Sequence, residues 1–159
     1  MRITLLLIAF LTATTVYSQD TTKLKQIDAL VHEINASTFT IQRDTIKNDK
    51  PDIGLSMRTY LTTVVDGTQL KKYINNVYVT TEMNGTKKQM VSTNTFYFDQ
   101  NQLIKVEEFI SKDDKKIDAF WYHADDQPIH YTFRSEKSPE RAQLLLQMAK
   151  SMIAKLENK

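Results

Sequence analysis

VYVTTEMNGTKKQMVSTNTFYF, residues 77–98, reads as two strands joined by a tight turn. Val, Thr, Tyr and Phe dominate the arms, and such β-branched and aromatic residues fit a pleated surface. Between them, Asn84-Gly85 is a pair that tolerates the positive φ angles a two-residue hairpin needs. The predicted arms are Val77–Met83 and Lys87–Phe98.

The same grammar extends outward from Ser37 to Arg134. Upstream, Phe39 and Ile41 alternate with threonines and Gln42, Asp49-Lys50-Pro51-Asp52 interrupts, and Met57–Val65 ends at Asp66-Gly67. Downstream, Gln100-Asn101, Asp113-Asp114 and Asp125-Asp126 mark further turns. The pattern predicts an antiparallel β-meander of six or seven strands, each paired with its sequence neighbour. In the last strand Ile129, Tyr131 and Phe133 alternate with His130, Thr132 and Arg134, so one set should face inward. The hairpin tips repeat. Asp66-Gly67-Thr68-Gln69-Leu70 resembles Asp99-Gln100-Asn101-Gln102-Leu103, and a shift of 25 positions (121 − 96) lays Phe96-Tyr97 on Trp121-Tyr122 and Ile104 on Ile129.

A helix is predicted on each side of the meander. Asp20-Thr21-Thr22 offers capping oxygens before Lys23–Asn35, where Leu24, Ile27, Leu30, Val31 and Ile34 recur at steps of three and four. Ser138-Pro139-Glu140 supplies a capping serine, a proline for the first turn and an acid for the helix dipole. The helix it opens carries Leu145, Met148, Met152 and Leu156 in one stripe, widened by Leu144, Ala149 and Ile153. Helix, meander, helix makes an α+β domain, with both helices expected on one face of a curved sheet.

Residues 1–18 read as a signal peptide: Met-Arg, an apolar run from Ile3 to Leu11, and a small residue, Ser18, before the cut at Gln19. The run is too short for a mature membrane span, which needs about 20 apolar residues. Residues 19–159 then form a single domain, exported to a periplasm or secreted. No cysteine is present, which excludes disulfides and thiolate metal sites. Removing Arg2 with the signal leaves 20 Lys plus Arg against 19 Asp plus Glu, so net charge gives no reason to expect a nucleic-acid partner. No second apolar segment suggests a membrane span. Lys71-Lys72, Lys87-Lys88 and Lys115-Lys116 sit beside turns, where solvated charge is ordinary.

The candidate site follows from the aromatic runs. Phe96-Tyr97-Phe98 and Phe120-Trp121-Tyr122 put rings on both faces of the sheet. With both helices on one face, Phe96, Trp121 and Tyr122, together with His130, would form a helix-free aromatic surface for a protein or envelope component. A hairpin centred on Asp125-Asp126 places His130 opposite Trp121 and His123 diagonal to it. Glu108 on the neighbouring strand would complete a two-His, one-carboxylate set for a metal. Other catalytic patterns are missing: there is no thiol, no Gly-x-Ser-x-Gly, no His-Glu-x-x-His and no glycine-rich phosphate loop. No feature requires a cofactor. Three functions fit. The first is a non-catalytic exported binding or interaction module using that aromatic face. The second is a carrier of a small apolar ligand in a cavity between sheet and helix, lined by Met148 and Met152. The third is an exported hydrolase resting on His123, His130 and Glu108.

Overall fold

A computed structural model describes residues 21–112, 115–133 and 135–157. The segment 1–18 predicted as a signal peptide, the predicted cleavage point before Gln19, the predicted Asp113-Asp114 turn and Arg134 lie outside them. The chain runs α1 (Thr21–Ala36), β1 (Thr40–Lys50), a 3-10 turn (Pro51–Ile53), β2 (Leu55–Asp66), β3 (Gln69–Met83) and β4 (Thr86–Asp99). It continues through β5 (Gln102–Lys112), β6 (Lys115–Ala124), β7 (Gln127–Tyr131) and α2 (Ser138–Glu157). The seven strands form one antiparallel sheet whose spatial order is the sequence order, the predicted meander. No helix among the described residues is long and apolar enough to cross a membrane.

Turn chemistry explains the hairpins. Asn84 and Gly85 adopt φ of 52° and 72°, Gln100 and Asn101 adopt 48° and 58°, and Asp125 and Asp126 adopt 50° and 59°. Two successive positive φ angles match the right-handed twist of the flanking strands. In the β2–β3 hairpin Asp66 pairs with Gln69, so Gly67 and Thr68 occupy the turn, one residue later than Asp66-Gly67. The β2–β3, β4–β5 and β6–β7 turns share one end of the sheet, and their sequence likeness has a structural counterpart. Each is followed by a bulge at the third residue of the next strand: Lys71, Ile104 and Ile129 are the unpaired extras. The first two tips also touch, since the Leu70 amide donates to Asn101 Oδ1 at 3.0 Å.

The two helices lie on opposite faces, not on one as expected. Under α2 sit Phe96, Phe98, Val106 and Trp121, packed with Leu145, Leu146 and Ala149. Under α1 sit Tyr97, Ile104 and Tyr122, packed with Ile27 and Val31. The cause is visible in the aromatic runs. Consecutive rings alternate sides, and each side then has large apolar surface that only a separate helix can cover. Both helices cover the same end of the strands, the end that carries the three bulges. Burial along β4 shows the boundary: Thr86–Gln89 are exposed, whereas Asn94–Phe98 are buried. The other end of the sheet is bare on both faces.

The start of α2 differs from sequence expectation. Ser138 does not cap α2 with its side chain. Its hydroxyl accepts from the Ser135 amide at 2.7 Å and donates to the Phe133 carbonyl at 2.9 Å, closing the link from β7 into the helix. The Lys137 carbonyl accepts from the Arg141 amide at 3.0 Å, so the helical bonding begins one residue earlier. At the bare end Gly54 has φ +62°, and its carbonyl accepts from the Glu82 amide at 2.8 Å. A Cβ there would stand 2.1 Å from the Glu82 carbonyl oxygen, so this close approach of the β1–β2 connection to β3 requires glycine.

Candidate functional site

A groove of about 670 Å³ lies between the C-terminal half of α2 and strands β1–β3. Its sheet side is fixed by register. Gln42, Thr63 and Tyr73 form one cross-strand row, and Asp44, Leu61 and Asn75 the next, all on the face that α2 covers. The helix side follows from 3.6-residue periodicity, which brings Met148, Ser151, Met152, Lys155 and Leu156 to one stripe. Leu61, Leu70 and Tyr73 thus face Met148, Met152 and Leu156 across the groove, while Arg43, Asp44 and Lys155 supply charge. The volume falls within the range of about 300–1,000 Å³ typical of small-molecule sites.

The second row continues inward as a polar seam. Asn75 lies opposite Asn94, and Asn94 opposite Glu108. Glu108 is buried and ion-paired with Arg141 of α2 through its Oε1, with a second contact from Arg141 Nε to Oε2 at 3.4 Å. The asparagines are less satisfied: Oδ1 of Asn75 and Oδ1 of Asn94 are buried without a hydrogen-bond partner. A buried carbonyl oxygen left unpaired costs about 1–3 kcal/mol, so the seam is a polar strip that lowers the stability of this part of the core. Sequence reasoning missed these residues. The available signal was Asn94 within the predicted Lys87–Phe98 arm, since asparagine is disfavoured in strands. Asn75 precedes the predicted Val77–Met83 arm, and β3 begins eight residues earlier than predicted, at Gln69.

The residues singled out from sequence are dispersed. Phe96 and Trp121 are core residues beneath α2, at 0% and 2% exposure, so they do not form a surface. Trp121 stacks at 5.5 Å on Tyr131. Tyr122 faces α1: its hydroxyl donates to Asp28 at 3.1 Å, and its ring lies 5.7 Å from that of His130. The proposed metal set is divided. The bulge at Ile129 moves His130 opposite Tyr122 instead of Trp121, onto the α1 face. It also breaks the alternation expected of the last strand, with Ile129 packed toward α1 and Tyr131 toward α2. His123 is fully buried on the α2 face with Nε2 3.3 Å from the Ala142 carbonyl. Burial lowers its pKa below the ordinary histidine value, which keeps the ring neutral. Glu108 shares that face but is held by Arg141. Among the described residues no three His, Asp or Glu side chains are grouped to hold a metal ion.

A second polar cluster lies under α1 and is structural in character. Lys105 is buried between Asp28 at 3.0 Å and Glu107 at 3.1 Å, with its ammonium 5.1 Å from the Phe120 and Tyr122 ring centres. Burial alone would lower its pKa, but hydrogen bonds to the two carboxylates raise it above the ordinary lysine value. The Tyr97 hydroxyl donates to Glu107 at 3.2 Å, and Lys72 donates to Asn35 at 2.7 Å. With the Tyr122–Asp28 bond, and with Asn35 Nδ2 donating to the Tyr97 hydroxyl at 3.5 Å, these bonds join α1 to β3, β4, β5 and β6. Compared with protein-family models, curated proteins and solved structures, the chain gives no significant match to any.

Proposed function

We propose that the chain is an exported, non-catalytic binding protein that holds a small, mostly apolar molecule in the groove beneath α2. The observation that carries this reading is the groove itself: apolar side chains from sheet and helix, Leu61, Leu70, Tyr73, Met148, Met152 and Leu156, flank it, with Asn75 among its lining residues. That chemistry suits a ligand with an apolar body and a polar end, since polar groups in such sites fix orientation while apolar contacts supply affinity. Met148 and Met152 suit the role, because unbranched thioether side chains adapt to an occupant's shape. The residues 1–18 pattern supports export. The aromatic-face reading loses Phe96 and Trp121 to the core, and the hydrolase reading loses its grouping of His123 with His130.

Native mass spectrometry of the chain beginning at Gln19, purified without refolding, tests the proposal together with titration by 1-anilinonaphthalene-8-sulfonate. The expected result is a co-purified small mass or saturable probe binding. Met152→Glu should weaken either by roughly tenfold or more, because it places a charge against the apolar wall. A bare chain mass with no saturable probe binding overturns the reading.

A further inference from the structure

β1 is an edge strand of unusual character. It is hydrogen-bonded to β2 on one side, and among the described residues nothing pairs with its outer side. All eleven of its residues are exposed. No proline or bulge interrupts it, and its register with β2 runs unbroken from Thr40↔Val65 to Lys50↔Leu55. The opposite edge, β7, is five residues long, contains Pro128 and is bulged. Short length, proline and bulges are three of the devices that keep an edge from pairing with another chain. β7 has all three and β1 has none of them. β1 carries charge of both signs instead, at Arg43, Asp44, Lys47, Asp49 and Lys50, which bars some registers and favours others.

We infer that β1 pairs antiparallel with β1 of a second copy, joining two seven-stranded sheets into one of fourteen strands. The residue pattern selects both the partner and the register. A two-fold axis normal to the sheet keeps each face on its own side, so the numbers of facing residues must sum to an even value. A sum of 88 sets Asp44 on Asp44, 94 sets Lys47 on Lys47, and 90 sets Arg43 on Lys47. A sum of 92 puts Ile46 on Ile46 at the axis, then Thr45 on Lys47, Asp44 on Asn48, Arg43 on Asp49 and Gln42 on Lys50. In this register nine residues of each strand face each other (42–50), no like charges meet and two Arg–Asp pairs form, the arrangement cross-strand energetics favours. Sums of 84 and 96 also avoid like charges but pair only five residues of each strand. Half-exposed Ile46 gains an apolar neighbour on the axis. Asp49, already bonded to Arg58 of its own chain, accepts a second guanidinium. Both α2 grooves then open on the same face of the joined sheet, with the partner's Asn48 and the partner's Lys50 beside Asp44 and Gln42 at the groove margin.

The absence of cysteine makes the test clean. The wild-type chain should be a dimer by sedimentation equilibrium at high micromolar concentration. Ile46→Lys, which brings two ammonium groups together on the axis, should raise its dissociation constant by roughly tenfold or more. Ile46→Cys should oxidise rapidly to a covalent dimer. Asp44→Cys and Asn48→Cys should not, because their thiols lie about four residues, roughly 13 Å, apart along the strands, beyond the ~7 Å Cα limit for a disulfide. A monomeric wild type overturns the inference, as does cross-linking that peaks away from position 46. Circular dichroism verifies that Ile46→Lys is folded. Probe titration of that variant keeps groove binding a separate question from assembly.

Discussion

The covered and bare ends of the sheet share the same strands and the same backbone pairing, yet their side chains differ. β4 contains both. Its first residues, Thr86-Lys87-Lys88-Gln89, meet solvent, and its last, Phe96-Tyr97-Phe98, are sealed between α1 and α2. β6 repeats the gradient from exposed Lys115-Lys116-Ile117-Asp118 to buried Trp121-Tyr122-His123. The difference shows that ladder hydrogen bonds set the extent of this sheet, whereas apolar burial sets where its stability resides. Large side chains at the bare end make do with each other: Tyr60 and Tyr78, both partly exposed, meet edge to face at 5.6 Å.

Substitutions placed at the two ends test this contrast. Trp121→Ala at the covered end should cost about 3–5 kcal/mol, read as a lower urea midpoint with an unchanged slope. Gly54→Ala probes the one tight constraint at the bare end. Its positive φ and the clash with the Glu82 carbonyl should cost about 1–3 kcal/mol, measurable in the same urea series. A loss as large as that of Trp121→Ala would mean that the bare end is not the weaker region.

The covered end should also carry a pH signature. His123 resists protonation when folded, while the unfolded chain binds a proton below pH 6.5, its ordinary value. Stability from this group is therefore present above that pH and lost as pH falls below it. The slope approaches about 1.4 kcal/mol per pH unit for one proton. Thermal or urea unfolding from pH 7 to pH 5 should show this component, and His123→Gln should remove it. The smallest effect belongs to Tyr78→Ala, which forfeits one exposed aromatic pair and should cost about 1 kcal/mol. Hydrogen exchange would sharpen the comparison, since amides of Asn94–Phe98 should outlast those of Thr86–Gln89 on the same strand.

The strands and helices were legible because local chemistry sets them. Asn84-Gly85 needed only its turn preference, and Leu145, Met148 and Met152 only their spacing. Met148 and Met152 also lie in the groove, where the carrier reading placed them. What sequence did not reveal is relational. An amphipathic helix shows that it needs a face to cover without showing which one, so α1 and α2 were assigned to the same side. The extra residue at Ile129 has no distinctive composition, and it alone separates His130 from His123. The likeness between Ile104 and Ile129 was real information, because both are bulge residues that pack toward α1. The Asn75–Asn94 seam depends on the register of β3, β4 and β5, which composition does not show.

The order of the strands also bears on how the chain acquires its shape. Each strand pairs with its immediate sequence neighbours, so every sheet hairpin closes a short loop, a topology associated with rapid folding. The exception is α1. Its polar anchors reach from Asp28 to Lys105, 77 positions away, and to Tyr122, 94 positions away. For a chain emerging N-terminus first, the β2–β3 hairpin can zip as soon as its residues are free. The first helix has no seat until β5 and β6 have followed, so the first of the described elements to appear is among the last to be secured.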